Sequence, residues 1–256
     1  NINNSSSTYA SWNWKAGGSA SSNGNGSITS SVSANTTAGF SIVSWTGTGA
    51  NATIGHGLGV APSVVITKNR TNSGRNWIYG GDNIGWTKYM IPNLTNAVAT
   101  ANNAWNDTAP TSTVASLGSS TVTNESSAEM IAYCFAEKQG YSKFGSYTGN
   151  GVASGGGPFI YLGFKPAFFL LKETSNADNW IILDNKRQGY NGRNDMLFPN
   201  LADAEYASDR IELVSNGVKI IDNDGSINTS GANYIYMGFA ENPFVGNDSG
   251  TAVPVT

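Results

Sequence analysis

The sequence predicts an all-β fold built from two tandem homologous antiparallel β-sandwich units that follow an extended N-terminal arm. Three observations predict it. Short motifs recur in the same order, the apolar runs have the length of strands, and no stretch carries sustained helical periodicity with caps. Short apolar runs rich in β-branched and aromatic residues, separated by Gly and Asn turns, are typical of antiparallel sandwiches.

The repeat is carried by motif pairs that lie a nearly constant distance apart. Gly59 and Gly163 are separated by 104 residues (163 − 59), and Phe135 and Phe239 are too (239 − 135). The paired motifs are SWTGTG with SYTGNG, GLGVAPSVVITK with YLGFKPAFFLLK, NWIYGG with NWIILD, IPNL with FPNL, and FAE with FAE. A repeat of this length indicates a domain duplication rather than a solenoid of short units. We therefore expect pseudo-equivalent pairs at Pro62/Pro166, Trp77/Trp180 and Phe135/Phe239.

The duplication predicts four segments along the chain. They are an arm and connector over 1–37, a first sandwich over 38–140, a second sandwich over 141–245 and a tail over 246–256. The connector is expected from the polar tract SSNGNGSITSSVSANTTAG, whose Gly and Ser content is typical of flexible linkers.

Three aromatic residues of the arm, Tyr9, Trp12 and Trp14, need a surface to pack on, because a large apolar side chain left in water costs about 1.5–3 kcal/mol. One option is the chain's own first sandwich. The favoured option is a neighbouring subunit or another protein, which predicts a homo-oligomer in which the arm makes an inter-chain contact.

Each unit reads as a series of short strands. PSVVITK and PAFFLLK are apolar runs of strand length, and RIELVSNGVKIID is typical of a β-hairpin that turns at Asn216-Gly217. AEMIAYCFAE and ANYIYMGFAE are expected to close the two units as long central strands. Phe135 and Phe239, one in each closing strand, are predicted to anchor the cores.

Composition excludes several classes of function. Charged residues make up 12% of the chain, the net charge is −3 and no cluster of Lys or Arg occurs, so nucleic acid is not an expected partner. No apolar segment reaches the roughly 18 residues of a membrane span. Cys134 is the single cysteine and lies in an apolar run, which favours a core position over a nucleophile.

No catalytic, cofactor-binding or metal-binding residue is predicted. His56 is the single histidine, and nothing marks a partner serine for it, so a polar loop residue is the favoured interpretation. One His and one Cys cannot supply an ordinary zinc site. The DNDG motif at 222–225 places Ile220 where a calcium loop needs its first ligand, so a turn is favoured.

Two acidic residues, Glu137 and Glu241, are equivalent in the repeat. A glycosidase needs two carboxylates that face a cleft, but an active site seldom arises identically in both copies of a duplication. Their equivalence therefore favours a structural role, and we expect pairing with Lys68 and Lys172.

Two tryptophans, Trp86 and Trp105, have no counterpart in the second unit and lie in polar, loop-like surroundings. An exposed aromatic ring is a usual surface for stacking on sugars or holding a partner. The alternative, which is the favoured interpretation, is that both rings cover the top of the sandwich or the joint between the units. Together with Tyr9, Trp12 and Trp14 they are the candidate contact residues.

Several long motifs resemble a module found near the C-terminus of structural proteins of tailed phages, especially marine ones, where it often follows a lectin-like domain. The motifs are SWNWKAGGSASSN, GHGLGVAPSVVITKNR, YCFAEKQGYSKFGSYTGNG, GFKPAFFLLK and GFAENPF, which together span most of the chain. The resemblance implies a non-enzymatic virion protein of the tail-fibre, spike or capsid-decoration type, exposed on the particle surface, with other virion proteins as partners. The alternatives are a glycan-binding adhesion module that recognises host polysaccharide and, third, a polysaccharide depolymerase.

Overall fold

The computed structural model describes residue 5 and residues 8–187 and 194–241, and short antiparallel strands dominate these residues. The strands of the first half are β1 (Ser21–Asn23), β2 (Ser30–Asn35), β3 (Phe40–Thr46), β4 (Ala52–Gly55), β5 (Val64–Asn69), β6 (Ile78–Gly81), β7 (Lys88–Tyr89), β8 (Ala99–Thr100), β9 (Val114–Leu117) and β10 (Glu129–Phe135). The one-turn helices α1 (Asn102–Trp105) and α2 (Thr121–Asn124) flank β9.

The second half repeats this pattern with fewer strands. They are β11 (Ser142–Thr148), β12 (Phe159–Tyr161), β13 (Phe168–Glu173), β14 (Trp180–Asp184), β15 (Ile211–Val214), β16 (Gly217–Ile220) and β17 (Asn233–Phe239), with the one-turn helix α3 (Gly225–Asn228) before β17. The predicted all-β class is confirmed. The C-terminal tail predicted over 246–256 lies outside the described residues.

Two main sheets carry the fold, one from each half. Their strand orders are β1-β2-β3-β10-β5-β6 and β11-β17-β13-β14, so β3-β10-β5-β6 and β11-β17-β13-β14 correspond strand for strand. The registers correspond too. Phe135 of β10 lies opposite the first residues of β3 and β5, and Phe239 of β17 lies opposite the first residues of β11 and β13.

Side-chain hydrogen bonds repeat between the halves. The side chain of Asn93 accepts a bond from the backbone N–H of Trp77 at 3.0 Å, and Asn200 accepts one from the N–H of Trp180 at 2.9 Å. These asparagines come from the IPNL and FPNL motifs, which explains why the motif recurs. The shared registers and bonds support the duplication, and the superposition of the halves as separate sandwiches stays a prediction.

A buried asparagine fixes the same turn in each half. Asn124 at the end of α2 accepts a bond from the N–H of Thr48 at 3.1 Å and donates to the carbonyl oxygen of Ala50 at 2.7 Å. Asn228 at the end of α3 accepts from the N–H of Asn150 at 2.8 Å and donates to the carbonyl of Val152 at 3.0 Å. Both asparagines are fully buried. Buried polar groups need such partners, so each asparagine holds the loop that follows β3 or β11.

Three apolar clusters alternate with the sheets. One lies between the first main sheet and the small β4-β9 sheet, and another lies between the second main sheet and the β12-β16-β15 sheet. The third contains residues from both main sheets, including Phe40 and Phe135 from the first and Ile235 and Phe239 from the second. The halves therefore share a core at their junction.

The two closing phenylalanines are buried as predicted, but in this shared core. Phe135 and Phe239 are 7% and 4% exposed, and their ring centroids lie 5.8 Å apart in an edge-to-face arrangement. On β10 and β17 the side chains alternate between faces, and both phenylalanines fall on the face toward the other half. The expectation that each ring anchors a separate core is corrected: the two rings belong to one core.

The arm packs on the same junction. The Trp14 ring lies 5.2 Å from Phe168, 5.2 Å from Phe239 and 6.1 Å from Phe135, measured between ring centroids. The Trp12 ring lies 5.8 Å from Phe168. Both tryptophans thus find their apolar surface within the chain. The favoured expectation that they pack on a neighbouring subunit is corrected, while the homo-oligomer itself stays a prediction.

The polar tract predicted as a connector contains β1 and β2. These strands extend the first main sheet beyond β3, with Val32 of β2 opposite Val43 of β3 and buried in the first cluster. The tract has too few apolar residues to predict a strand, but pairing with β3 satisfies its backbone hydrogen-bonding groups. Its interpretation as a connector is therefore wrong. Within the described residues, no helix has the length and apolar character needed to span a membrane.

Candidate functional site

The two tryptophans predicted as contact surfaces are buried. Trp105 is 0% and Trp86 7% exposed, and their rings meet edge to face with centroids 5.6 Å apart. Trp105 lies against Gly80, where a Cβ atom would be 2.4 Å from the indole, so the absent side chain makes room for the ring. The Trp86 indole N–H donates to Asp82 at 2.6 Å. Neither ring offers a face to a ligand, and the exposed-surface interpretation of both is corrected.

His56 and Cys134 have structural roles in the first half. His56 is fully buried, its Nδ1 accepts the N–H of Leu58 at 3.2 Å, and its Nε2 lies 3.1 Å from the carbonyl oxygen of Thr111. These bonds suit the neutral ring protonated at Nε2, and burial lowers the pKa of His56. Burial raises the pKa of the Cys134 thiol to about 12. In the described part of the chain, no group of three metal-ligating side chains comes together.

The expected acid–lysine pairs do not form. Glu137 instead accepts the backbone N–H of Phe144 at 2.7 Å, and Glu241 pairs with Lys186 at 2.6 Å. Lys68 and Lys172 turn back to carbonyl oxygens of the polar turns that follow their own strands. Burial lowers the pKa of Lys172 to about 8.

The halves differ most at the outer edge of their small sheets. In the second half, the pairing of β12 within the described residues is on one side, with β16. The bonds from Leu162 N–H to Asn216 and from Ile220 N–H to Pro158 show that Ile160 between them faces β16. The backbone groups of the flanking Phe159 and Tyr161 therefore point away from the sheet.

In the first half the corresponding edge, on β4, is covered by residues 26–30. Ile28 donates its N–H to the carbonyl of Thr53 at 3.0 Å, and the N–H of Thr53 donates to the Ser27 hydroxyl at 2.9 Å. The hydroxyl of Ser30 donates to the carbonyl of Gly55 at 2.8 Å. One N-terminal segment thus satisfies the outward backbone groups of β4 before it continues as β2.

The second half has no counterpart of this segment in the described residues. The N–H and C=O of Phe159 and the N–H of Tyr161 make no hydrogen bond there, and only the Tyr161 carbonyl is bonded, to Lys143 at 3.0 Å. The side chains of Phe159 and Tyr161 are 48% and 56% exposed. We call this the β12 edge: the outward backbone and the two exposed rings of Phe159 and Tyr161.

A groove of about 430 Å³ borders the β12 edge. Its walls include Glu137, Gln139 and Ser142 from the loop into β11, and Lys143 and Tyr161. The Lys143 ammonium lies 5.2 Å from the centre of the Tyr161 ring, which is cation–π distance.

Comparison with known proteins places the chain in a family. The model of a domain of unknown function, DUF7483, matches residues 1–243. The chain belongs to this family. No curated protein and no solved structure matches it significantly.

In this member of DUF7483, the β12 edge is suited to binding. Glu137 and Lys143 already bond to backbone atoms, so the groove contains charged groups held in place beside an exposed aromatic ring. Sequence reasoning missed Phe159 and Tyr161 because FIY resembles any short strand. The signal lies in strand pairing rather than in the repeat alignment, since Thr53 and Gly55 flank Ile54 on β4 as Phe159 and Tyr161 flank Ile160 on β12.

Proposed function

We propose that the chain is a non-enzymatic structural protein of a tailed-phage virion, exposed on the particle surface as a tail-fibre, spike or capsid-decoration component. It acts through contacts with other virion proteins. The β12 edge carries this proposal, because an unpaired strand edge with exposed aromatic rings is a surface for another polypeptide. The motifs that resemble phage structural proteins support the virion context.

The rest of the described chain suits a rigid scaffold. Its two main sheets are joined by a common core that also takes Trp14, so neither half is loosely attached. The repeat-equivalent acids Glu137 and Glu241 serve as hydrogen-bond and ion-pair partners. This use supports a structural rather than a catalytic role for both carboxylates.

Immunogold labelling of purified phage particles that encode the chain tests the proposal. We expect label at one class of site on the particle surface, and mass spectrometry of gradient-purified particles to detect the chain at a fixed ratio to the major capsid protein. A chain that stays in the soluble lysate fraction and is absent from purified particles would contradict a virion role.

Glycan binding is the second candidate, and the exposed ring of Tyr161 beside the polar groove favours it. Aromatic rings next to fixed polar groups are the usual surface for sugars. A glycan array with the wild-type chain, Tyr161→Ala and the matched control Tyr206→Ala tests it, since Tyr206 is a second tyrosine with a similarly exposed side chain, at 46%. Sugar binding that only Tyr161→Ala removes would support this candidate.

A further inference from the structure

We propose that the β12 edge binds an extended segment of another polypeptide by strand addition, and that this segment has Gly and small polar side chains. The inference names the partner at the site on which the proposed function rests. In strand addition, main-chain hydrogen bonds supply affinity and the side chains that flank them supply specificity.

The first half of the chain provides the template. Its β4 edge holds the segment Gly26-Ser27-Ile28 in parallel alignment, with Ile28 bridged to Ile54. Ile54 is comparable to Ile160 of β12 in burial and strand pairing, because both are buried and both face the neighbouring strand of their small sheet, although the repeat in the sequence aligns Ile160 with His56. The same outward backbone pattern therefore occurs twice in one chain, once occupied from within and once open.

Close approach in the template defines the chemistry of the partner. A Cβ atom on Gly26 would lie 2.3 Å from the carbonyl oxygen of Thr53, so only glycine fits there. A Cβ atom on Gly55 would lie 2.0 Å from the side chain of Asn23. Because β12 has the large residues Phe159 and Tyr161 beside its central isoleucine where β4 has Thr53 and Gly55, the partner of β12 must lack a side chain like that of Asn23.

Hydrogen bonds already made at the start of β11 limit where the partner can pair. In the first half β2 continues along β3, but in the second half the N–H of Phe144 is already bonded to Glu137, and Ser142 is bonded to Lys138. The partner segment therefore pairs with β12 alone and does not extend as a full second strand along β11. A short segment of about the length of residues 24–31 is the expected unit.

A peptide titration followed by NMR tests the proposal on the full chain. The probe is a capped peptide with the sequence of residues 24–31, GNGSITSS, and the control peptide carries Gly26→Val. We expect the backbone amide resonances of Phe159 and Tyr161 to shift at millimolar probe, their hydrogen exchange to slow, and the control peptide to bind at least tenfold more weakly.

Two variants separate backbone from side-chain recognition. Phe159→Pro removes an outward N–H without removing a bond to β16, and we expect at least tenfold weaker binding. Phe159→Thr places there the residue type that precedes Ile54 in β4, keeps the outward N–H and should keep binding. If the proline variant fails to fold, the test rests on the wild-type chain alone. In that case, hydrogen exchange of the Phe159 amide that is slower with the probe peptide than without it supports backbone recognition, and unchanged exchange contradicts it.

Three outcomes overturn the proposal: no shift at Phe159 and Tyr161, equal binding of both peptides, or shifts that only a panel of mono- and disaccharides produces. The last outcome would assign the edge to sugars. A failed peptide titration would contradict strand addition without changing the result of immunogold labelling. Absence of the chain from particles would contradict the virion role without changing the result of the titration. The two proposals can therefore fail separately.

Discussion

Truncation of the two central phenylalanines tests the shared core. Phe135→Ala and Phe239→Ala each remove a ring that is less than a tenth exposed, and such changes cost about 3–5 kcal/mol of unfolding free energy. The rings touch edge to face, and aromatic pairs of this kind contribute about 0.5–1.5 kcal/mol beyond their buried area. We therefore expect the double variant to be less destabilised than the sum of the single variants by about that amount.

Chemical denaturation followed by tryptophan fluorescence and by circular dichroism provides the measurement. The control cycle combines Phe135→Ala with Leu213→Ala, because Leu213 lies in the outer cluster of the second half and belongs to another core. This cycle should be additive within about 0.3–0.5 kcal/mol. A shared core would be refuted if the losses of unfolding free energy in the Phe135 and Phe239 variants are additive. It would also be refuted if the halves of the wild-type chain unfold in two separate transitions.

Three further predictions concern single positions. Because burial lowers the pKa of His56, the unfolded chain binds the proton more readily than the folded chain. The contribution of His56 to stability should be full above its unfolded pKa and be lost as the pH falls through its folded pKa. Denaturant melts between pH 5 and 8 should show this dependence for the wild-type chain and not for His56→Gln. Asn124→Ala and Asn228→Ala should each lower the free energy of unfolding by more than about 2 kcal/mol, because each leaves several buried polar groups unpaired. Clearly unequal losses would count against the structural equivalence of the two turns. Trp14→Ala should lower the melting temperature without changing the mass in solution, because its ring packs on Phe168 and Phe239. Tyr9→Ala should lower it less, since Tyr9 is 55% exposed. A change of mass with Trp14→Ala would assign the arm to an inter-chain contact.

The repeat and the strands were predictable because they depend on local pattern. PSVVITK and PAFFLLK became β5 and β13, and the hairpin was predicted correctly from its Asn-Gly dipeptide, although its two-residue loop is Ser215-Asn216, one residue earlier. Asn and Gly tolerate the backbone of such turns, so the signal is strong but its position is not fixed.

The features that the sequence did not predict depend on contacts between residues that are far apart along the chain. β2 is a strand because β3 offers it a partner, not because its own residues favour one. Trp86 and Trp105 have polar neighbours in the sequence, yet the space left by Gly80 accommodates the Trp105 ring, and Trp86 packs against that ring. The junction core was missed because alternation along β10 and β17 marks two faces without saying which face meets the other half.

Divergence between the halves explains where a partner can bind. The predicted duplication starts from two equal edges, and in this chain the first is closed by residues that precede β3. The second copy is joined to the first by the short segment 136–141, which contains no strand to match β2. In the second half the large side chain of Tyr236 fills the space beside Gly145. In the described residues the β12 edge therefore stays unpaired on its outer side, which is the condition that the proposed strand addition requires.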